Sequence, residues 1–167
     1  MQYSLKDEIV NLVQKINRLA MENIKDNAES GNSKFIAKAV DIIMLPEISK
    51  YLTESVTLTK LKILTFNNLA CILKKVGRYM MGLKAVSFAL GMEEELLKGS
   101  KEEEKYDIVP TYLNKAAILS DMGKHGKSLE EIRKARAHVE RNAEDGGLVE
   151  EEKYDIVPTY LNKAAIL

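Results

Sequence analysis

Two glycines 46 residues apart, Gly77 and Gly123, each close a stretch of helical apolar spacing, and the same small residues fall into register around both. Ala70 and Ala116 precede the glycines, and Ala89 and Ala135 follow them. Glycine adopts the left-handed backbone conformation that ends a helix without the steric cost a Cβ brings. A residue as small as alanine at a crossing lets two helices approach to the short end of the ~8–10 Å packing range. Together these features restrict the chain to antiparallel helical pairs that recur along the sequence.

The remainder of the sequence fits that restriction. Leu5, Ile9, Leu12, Val13, Ile16, Leu19, Ala20 and Ile24 recur at three- and four-residue steps, with Ser4 placed to cap the start, and predict a helix over about 5–27. The polar cluster 26–33 breaks it, and Ser33 can cap a second helix carrying Phe35, Ile36, Ala39, Val40, Ile43 and Met44. Pro46 suits the first turn of a short third helix with Ile48, Tyr51 and Leu52. A fourth helix with Leu61, Leu64, Leu69, Ile72 and Leu73 runs from about 58 to Val76. A fifth carries Leu83, Val86, Ala89, Leu90 and Met92 and stops at Gly99-Ser100, where Ser100 and Glu103 have capping-box spacing. After Pro110 the cycle repeats with Leu113, Ala116, Ala117 and Leu119, then, past Gly123, Leu129, Ile132, Ala135 and Val139. No segment alternates at period two, so no sheet is expected. The sequence predicts an all-α chain, an α-solenoid of antiparallel helical hairpins with about seven helices. Residues 1–57 form a hairpin plus a short helix, 58–99 and 100–145 one repeat hairpin each, and 146–167 a truncated further unit.

That last segment is unusual, because residues 150–167 repeat 102–119 without a difference while their flanks are unrelated. Slow divergence scatters changes evenly. Identity with abrupt edges instead marks a block copy, whether a recent duplication, an engineered copy or a fault in sequence assembly. A lone first helix leaves an apolar face open where a solenoid needs a polar cap. Residues 159–167 are therefore expected to pack on a second molecule, to exchange with a neighbour, or to fray, which makes self-association a partner class to consider.

Several function classes are disfavoured. Twenty-five basic and twenty-five acidic residues cancel, so the chain has no overall positive field to gather nucleic acid or anionic lipid. No stretch approaches the ~18 apolar residues of a membrane span, and the first residues lack the flank and apolar run of a signal peptide. The single cysteine, Cys71, has no second thiol and reads as a buried small hydrophobe in a reducing compartment. A cytoplasmic protein with neither membrane nor nucleic-acid partners is expected. His125 and His138 are the only histidines and have no zinc-ligand spacing with Cys71, so no metal or cofactor is expected. Gly126-Lys127-Ser128 looks like the end of a phosphate-binding loop, but Asp121 stands where that loop needs glycine. The runs Glu93-Glu94-Glu95, Glu102-Glu103-Glu104 and Glu150-Glu151-Glu152 read as solvated faces and helix starts rather than paired acid and base. The methionines, Met80 and Met81 among them, read as core filling ahead of a pliable surface. No enzyme activity is expected.

The stretch from Asn68 through Leu69, Ala70, Gly77 and Tyr79, followed by Leu83 and Ala89, resembles the tetratricopeptide repeat. Asn114, Ala116, Leu119, Gly123, His125, Leu129 and Ala135 follow the same template, with Lys115 replacing the usual leucine and Ser128 the usual alanine. The 46-residue step exceeds the family's common ~34, so the resemblance is to long repeats such as kinesin-light-chain-like arrays. It covers about 60–140 well and the first 57 residues loosely. What it implies is a protein-interaction adaptor that holds a protein or peptide segment in a groove lined by the first helix of each hairpin. Asn67, Asn68, Lys75, Asn114 and Asp121 are the implied contacts. Asparagine at the shared place, Asn68 and Asn114 with Asn162, either clamps a peptide backbone or bonds neighbouring helices. The departures Cys71, Leu113 and Ala117 argue against a clamp for an acidic chain end. A structural role in a larger cytoskeletal or ciliary assembly is the alternative.

Overall fold

The computed structural model describes residues 4–25, 32–51, 56–99 and 107–144, and among them every regular element is an α-helix. The order is α1 (Leu5–Lys25), α2 (Asn32–Met44), α3 (Pro46–Tyr51), α4 (Val56–Lys75), α5 (Tyr79–Gly99), α6 (Val109–Asp121) and α7 (His125–Glu144). The described residues are all-α, as the spacing requires. It divides into two compact units, Met1–Met92 and Glu93–Leu167, with the boundary inside α5. The proposed Ser100/Glu103 capping box and the copied residues 150–167 lie outside the described residues.

In the first unit, α1 starts at a reciprocal cap. The Asp7 N–H donates to Ser4 Oγ at 3.3 Å, and the Ser4 N–H donates back to Asp7 Oδ2 at 3.2 Å, which satisfies amides that the first turn leaves without helical partners. α1, α2 and α4 pack together through two apolar clusters. Val13, Ile43 and Leu61 form one, with Val10, Ile42 and Phe66 around it. Ala20, Ile36, Ala39 and Ile72 form the other, with Ile16, Phe35 and Leu69 around it. α4 is long and apolar enough, by length and composition, to cross a membrane, which corrects the expectation that no segment approaches a span. Its lysines and asparagines interrupt the apolar run. Here Leu61 and Ile72 of α4 pack on α1 and α2, the usage of a core helix.

α4 and α5 meet around Gly77, whose φ is +73°. The Gly77 N–H donates to the Lys74 carbonyl at 3.0 Å and the Arg78 N–H to the Leu73 carbonyl at 2.8 Å, so carbonyls that the helix end leaves open gain donors. Phe66 and Phe88, equidistant from Gly77 along the chain, meet edge to face with centroids 4.7 Å apart. Contact between residues equidistant from a turn is the mark of an antiparallel pair.

The second unit repeats this device. Gly123 has φ +71°, its N–H donates to the Ser120 carbonyl at 2.8 Å, and the Lys124 N–H donates to the Leu119 carbonyl at 2.9 Å. Every partner stands 46 residues beyond its counterpart. Burial recurs at the same step: Thr65 with Thr111, Ala70 with Ala116, Ile72 with Ile118, Val86 with Ile132 and Ala89 with Ala135 are all inside. Ala116 and Ile132 form the centre of the α6–α7 contact, with Leu113 against them.

The departures from the repeat template also find their physical reasons here. Lys115 stands where the first unit has Leu69, and its ammonium pairs with Glu131 at 3.0 Å across the hairpin, where the first unit has Ala85. Ser128 is buried and donates its hydroxyl to the Ala116 carbonyl at 2.8 Å. Gly126-Lys127-Ser128 accordingly opens α7 directly after α6 and the Gly123 turn, with its serine engaged in the hairpin.

Candidate functional site: buried polar joints of the first helices

The features that chemistry could use lie on α4 and α6, the first helices of the two hairpins. On α4, Thr65 is fully buried between the two apolar clusters and donates its hydroxyl to the Leu61 carbonyl at 2.8 Å. The same oxygen accepts from the amide of Asn17 on α1 at 3.0 Å. Asn17, also buried, donates to the Val13 carbonyl at 3.0 Å and accepts from the Asn68 amide at 2.8 Å. A buried polar group left without partners costs about 1–3 kcal/mol. The closed set Asn17, Thr65 and Asn68 avoids that cost and fixes the register of α4 on α1.

On α6 the equivalent threonine, Thr111, donates to Oε1 of Glu93 at 2.8 Å, and both residues are buried. Tyr112 follows, donating to Oε1 of Glu94 at 3.1 Å and stacking on His138 of α7 with centroids 5.6 Å apart. Burial, followed by the charge of Glu94, pushes the Tyr112 hydroxyl up to about 12. His138 is held below its ordinary range by burial and then by Arg141, with Glu94 opposing. Glu131 takes two lysines, Lys115 at 3.0 Å and Lys134 at 3.2 Å. Apart from the Lys134–Glu131 pair within α7, these are salt-bridged and hydrogen-bonded joints between helices. Among the described residues no group of three or more His, Cys, Asp or Glu could hold a metal ion.

The phenol gives a direct check. A tyrosine that resists ionisation when folded stabilises the folded form fully below its unfolded value near 10 and loses that contribution as pH rises through about 12. Spectrophotometric titration should therefore show a tyrosine ionising only near pH 12, absent in Tyr112→Phe and titrating at lower pH in Glu94→Gln. A Tyr112 that titrates with the other tyrosines would remove the joint.

The contacts expected from the sequence are distributed over both units. Asn67 and Asn68 are half-buried on α4 and Lys75 is exposed at its end; Asn114 is half-buried on α6 and Asp121 exposed at its end. Asn68 and Lys75, like Asn114 and Asp121, stand seven residues apart, two turns along one helix face. Asn68 bonds Asn17 of α1, so of its two expected roles the bonding of neighbouring helices is the one seen. Asn17, Thr65 and Thr111 were missed, and the expectation that Glu93 lies on a solvated face or at a helix start is corrected, since Glu93 is buried late in α5 and accepts from Thr111. The signal that could have found them is a threonine at one register in both units, standing inside an otherwise aliphatic stripe.

The methionines correct a second expectation. Met80 is 56% exposed, Met81 54% and Phe88 49%. Met81 and Phe88 are seven residues apart on α5 and share a face with the exposed Lys84 between them. Met80 and Met81 are not core filling. Cys71 is only half-buried, and burial raises its thiol above the ordinary range, with Lys74 opposing.

The chain matches no family model, and no similar curated protein or solved structure was found.

Proposed function

We propose that this protein is a non-enzymatic, cytoplasmic adaptor of the tetratricopeptide type, which holds a protein or peptide segment against the first helices of an α-solenoid. The observation that carries the reading is the recurrence, 46 residues apart, of one hairpin: a left-handed glycine closed by the same backbone bonds, sealed alanines, and a buried threonine tied to a preceding helix. Stacked hairpins of this kind present extended concave surfaces to partners. The contact set is Asn67, Asn68, Lys75, Asn114 and Asp121, of which Lys75 and Asp121 are exposed.

The test is a displayed library of extended peptides panned against the full chain. Enriched peptides should lose about tenfold in affinity, or about 1.4 kcal/mol, on Lys75→Glu combined with Asp121→Lys, while the melting temperature holds. Absence of enrichment, or binders blind to both substitutions, would overturn the proposal. The exposed Met80, Met81 and Phe88 favour a second reading, a structural piece of a larger assembly. It would show as self-association abolished by Met81→Ser with Phe88→Ser.

A further inference from the structure

α1 carries more apolar surface than its own core takes up. Val13 and Ala20 are buried in the two clusters with residues of α2 and α4, and Ile16 packs beside them. A second stripe, Leu5, Ile9, Leu12, Ile16 and Leu19, runs along the helix at alternating steps of four and three. That alternation keeps one apolar line facing a partner helix. The leucine edge of the line is open: Leu5 is 56% and Leu12 49% exposed, while Ile9, Ile16 and Leu19 are half-buried. Beside the leucines stand Glu8, Lys15 and Glu22, all exposed and again seven apart. Glu22 pairs with Arg18 one turn back, at 3.7 Å. Glu8 and Lys15 have no opposite charge three or four residues away on α1, the spacings at which side chains on a helix are neighbours.

We propose that two copies of this chain pair through the stripe, α1 against α1 in antiparallel order, with Leu5 of one copy against Ile16 of the other, Leu12 against Ile9, and Glu8 opposite Lys15. The charges select both the occupant and the register. In this register Glu8 and Lys15, on the polar edge of the stripe, face each other across the pair, and two-fold symmetry makes the contact twice. Sliding one copy by seven residues in one direction sets Lys15 against Lys15 and Glu8 against Glu22; sliding it in the other sets Glu8 against Glu8. Like charges oppose both alternatives. A parallel pair would bring Glu8 and Lys15 toward the places of Val13 and Ala20, which the core already buries, and gains no charge contact. A stripe complementary to itself is what a two-fold interface requires, so the occupant is a second copy rather than an unlike helix. This interface uses other residues than Met80, Met81 and Phe88 of α5 and does not rest on the adaptor reading.

Sedimentation of the full chain over a range of concentrations tests it. A monomer–dimer equilibrium is expected, and Leu5→Ser with Leu12→Ser should weaken it by about tenfold or more while the melting temperature holds, because both side chains are exposed. Glu8→Lys and Lys15→Glu should each weaken the dimer about tenfold, and the two together should restore it to within about threefold. The double variant carries whatever each reversal does within its own helix, so recovery reports the contact between copies. Met81→Ser with Phe88→Ser should leave the dimer as it is. The proposal is overturned if the chain stays monomeric up to about 1 mM, or if the double reversal is as weak as the single ones. It is overturned too if the α5 variant abolishes association while the α1 variants leave it unchanged, a result that keeps the assembly reading above and moves the contact to α5.

Discussion

Replacing Ile132 with alanine is expected to lower the stability of the second unit by about 3 kcal/mol, within the 2–5 kcal/mol range for truncating a sealed core isoleucine. Ile132 is 1% exposed and sits with Ala116 at the centre of the α6–α7 contact. Its neighbours cannot close over the gap. Ala116 has no side chain to extend, and the Ser128 bond to the Ala116 carbonyl holds the two backbones at their present separation. Urea unfolding followed by circular dichroism should show the midpoint fall with the slope unchanged, and Lys134→Ala, on an exposed side chain, should move it by less than about 0.5 kcal/mol. Equal effects from the two would place Ile132 outside the core.

Asn17→Leu is the second large effect and has an informative rescue. The leucine removes the acceptor of the half-buried Asn68 amide and the donor to Thr65, whose hydroxyl keeps only its bond to the Leu61 carbonyl. Each unmet group costs about 1–3 kcal/mol, so a loss of about 3 kcal/mol is expected. Adding Thr65→Val and Asn68→Leu removes the stranded groups and should recover most of it, because replacing all members of a polar set by apolar ones of like shape is close to neutral. A triple variant as unstable as Asn17→Leu would mean that volume, not polarity, sets the cost.

Where one residue type has one physical use, the sequence was enough to read the structure. Gly77 and Gly123 are needed at positive φ, and Ala70, Ala89, Ala116 and Ala135 are needed where no larger side chain fits, so turns and crossings followed from spacing. Ser4 named its own cap, while the reciprocal part of Asp7 came with the structure. Thr65 and Thr111 were harder, since threonine within an apolar stripe looks the same whether its hydroxyl is bonded across helices or only to its own backbone. On α5 the apolar residues run nearly all round, from Met80 and Met81 through Leu83, Ala85, Val86, Phe88, Ala89 and Leu90. Periodicity there could not say which side faces out, and the exposure of Met80 and Met81 became legible only with the neighbouring helices in place. The contacts expected of Asn68 and Asn114 depended on a resemblance, and for Asn68 a partner on α1, 51 residues earlier in the chain, decided the geometry.

Both hairpins turn on a glycine in the left-handed conformation. An added Cβ meets nothing within 4 Å at either Gly77 or Gly123, so a substitution there reports backbone conformation alone. Chemical ligation can place L-alanine or D-alanine at each position. L-alanine should destabilise by about 1–2 kcal/mol, and D-alanine, for which positive φ is the relaxed state, should stabilise by about 0.4–1 kcal/mol through the unfolded chain. Enantiomers with the same effect at either glycine would contradict the repeated turn.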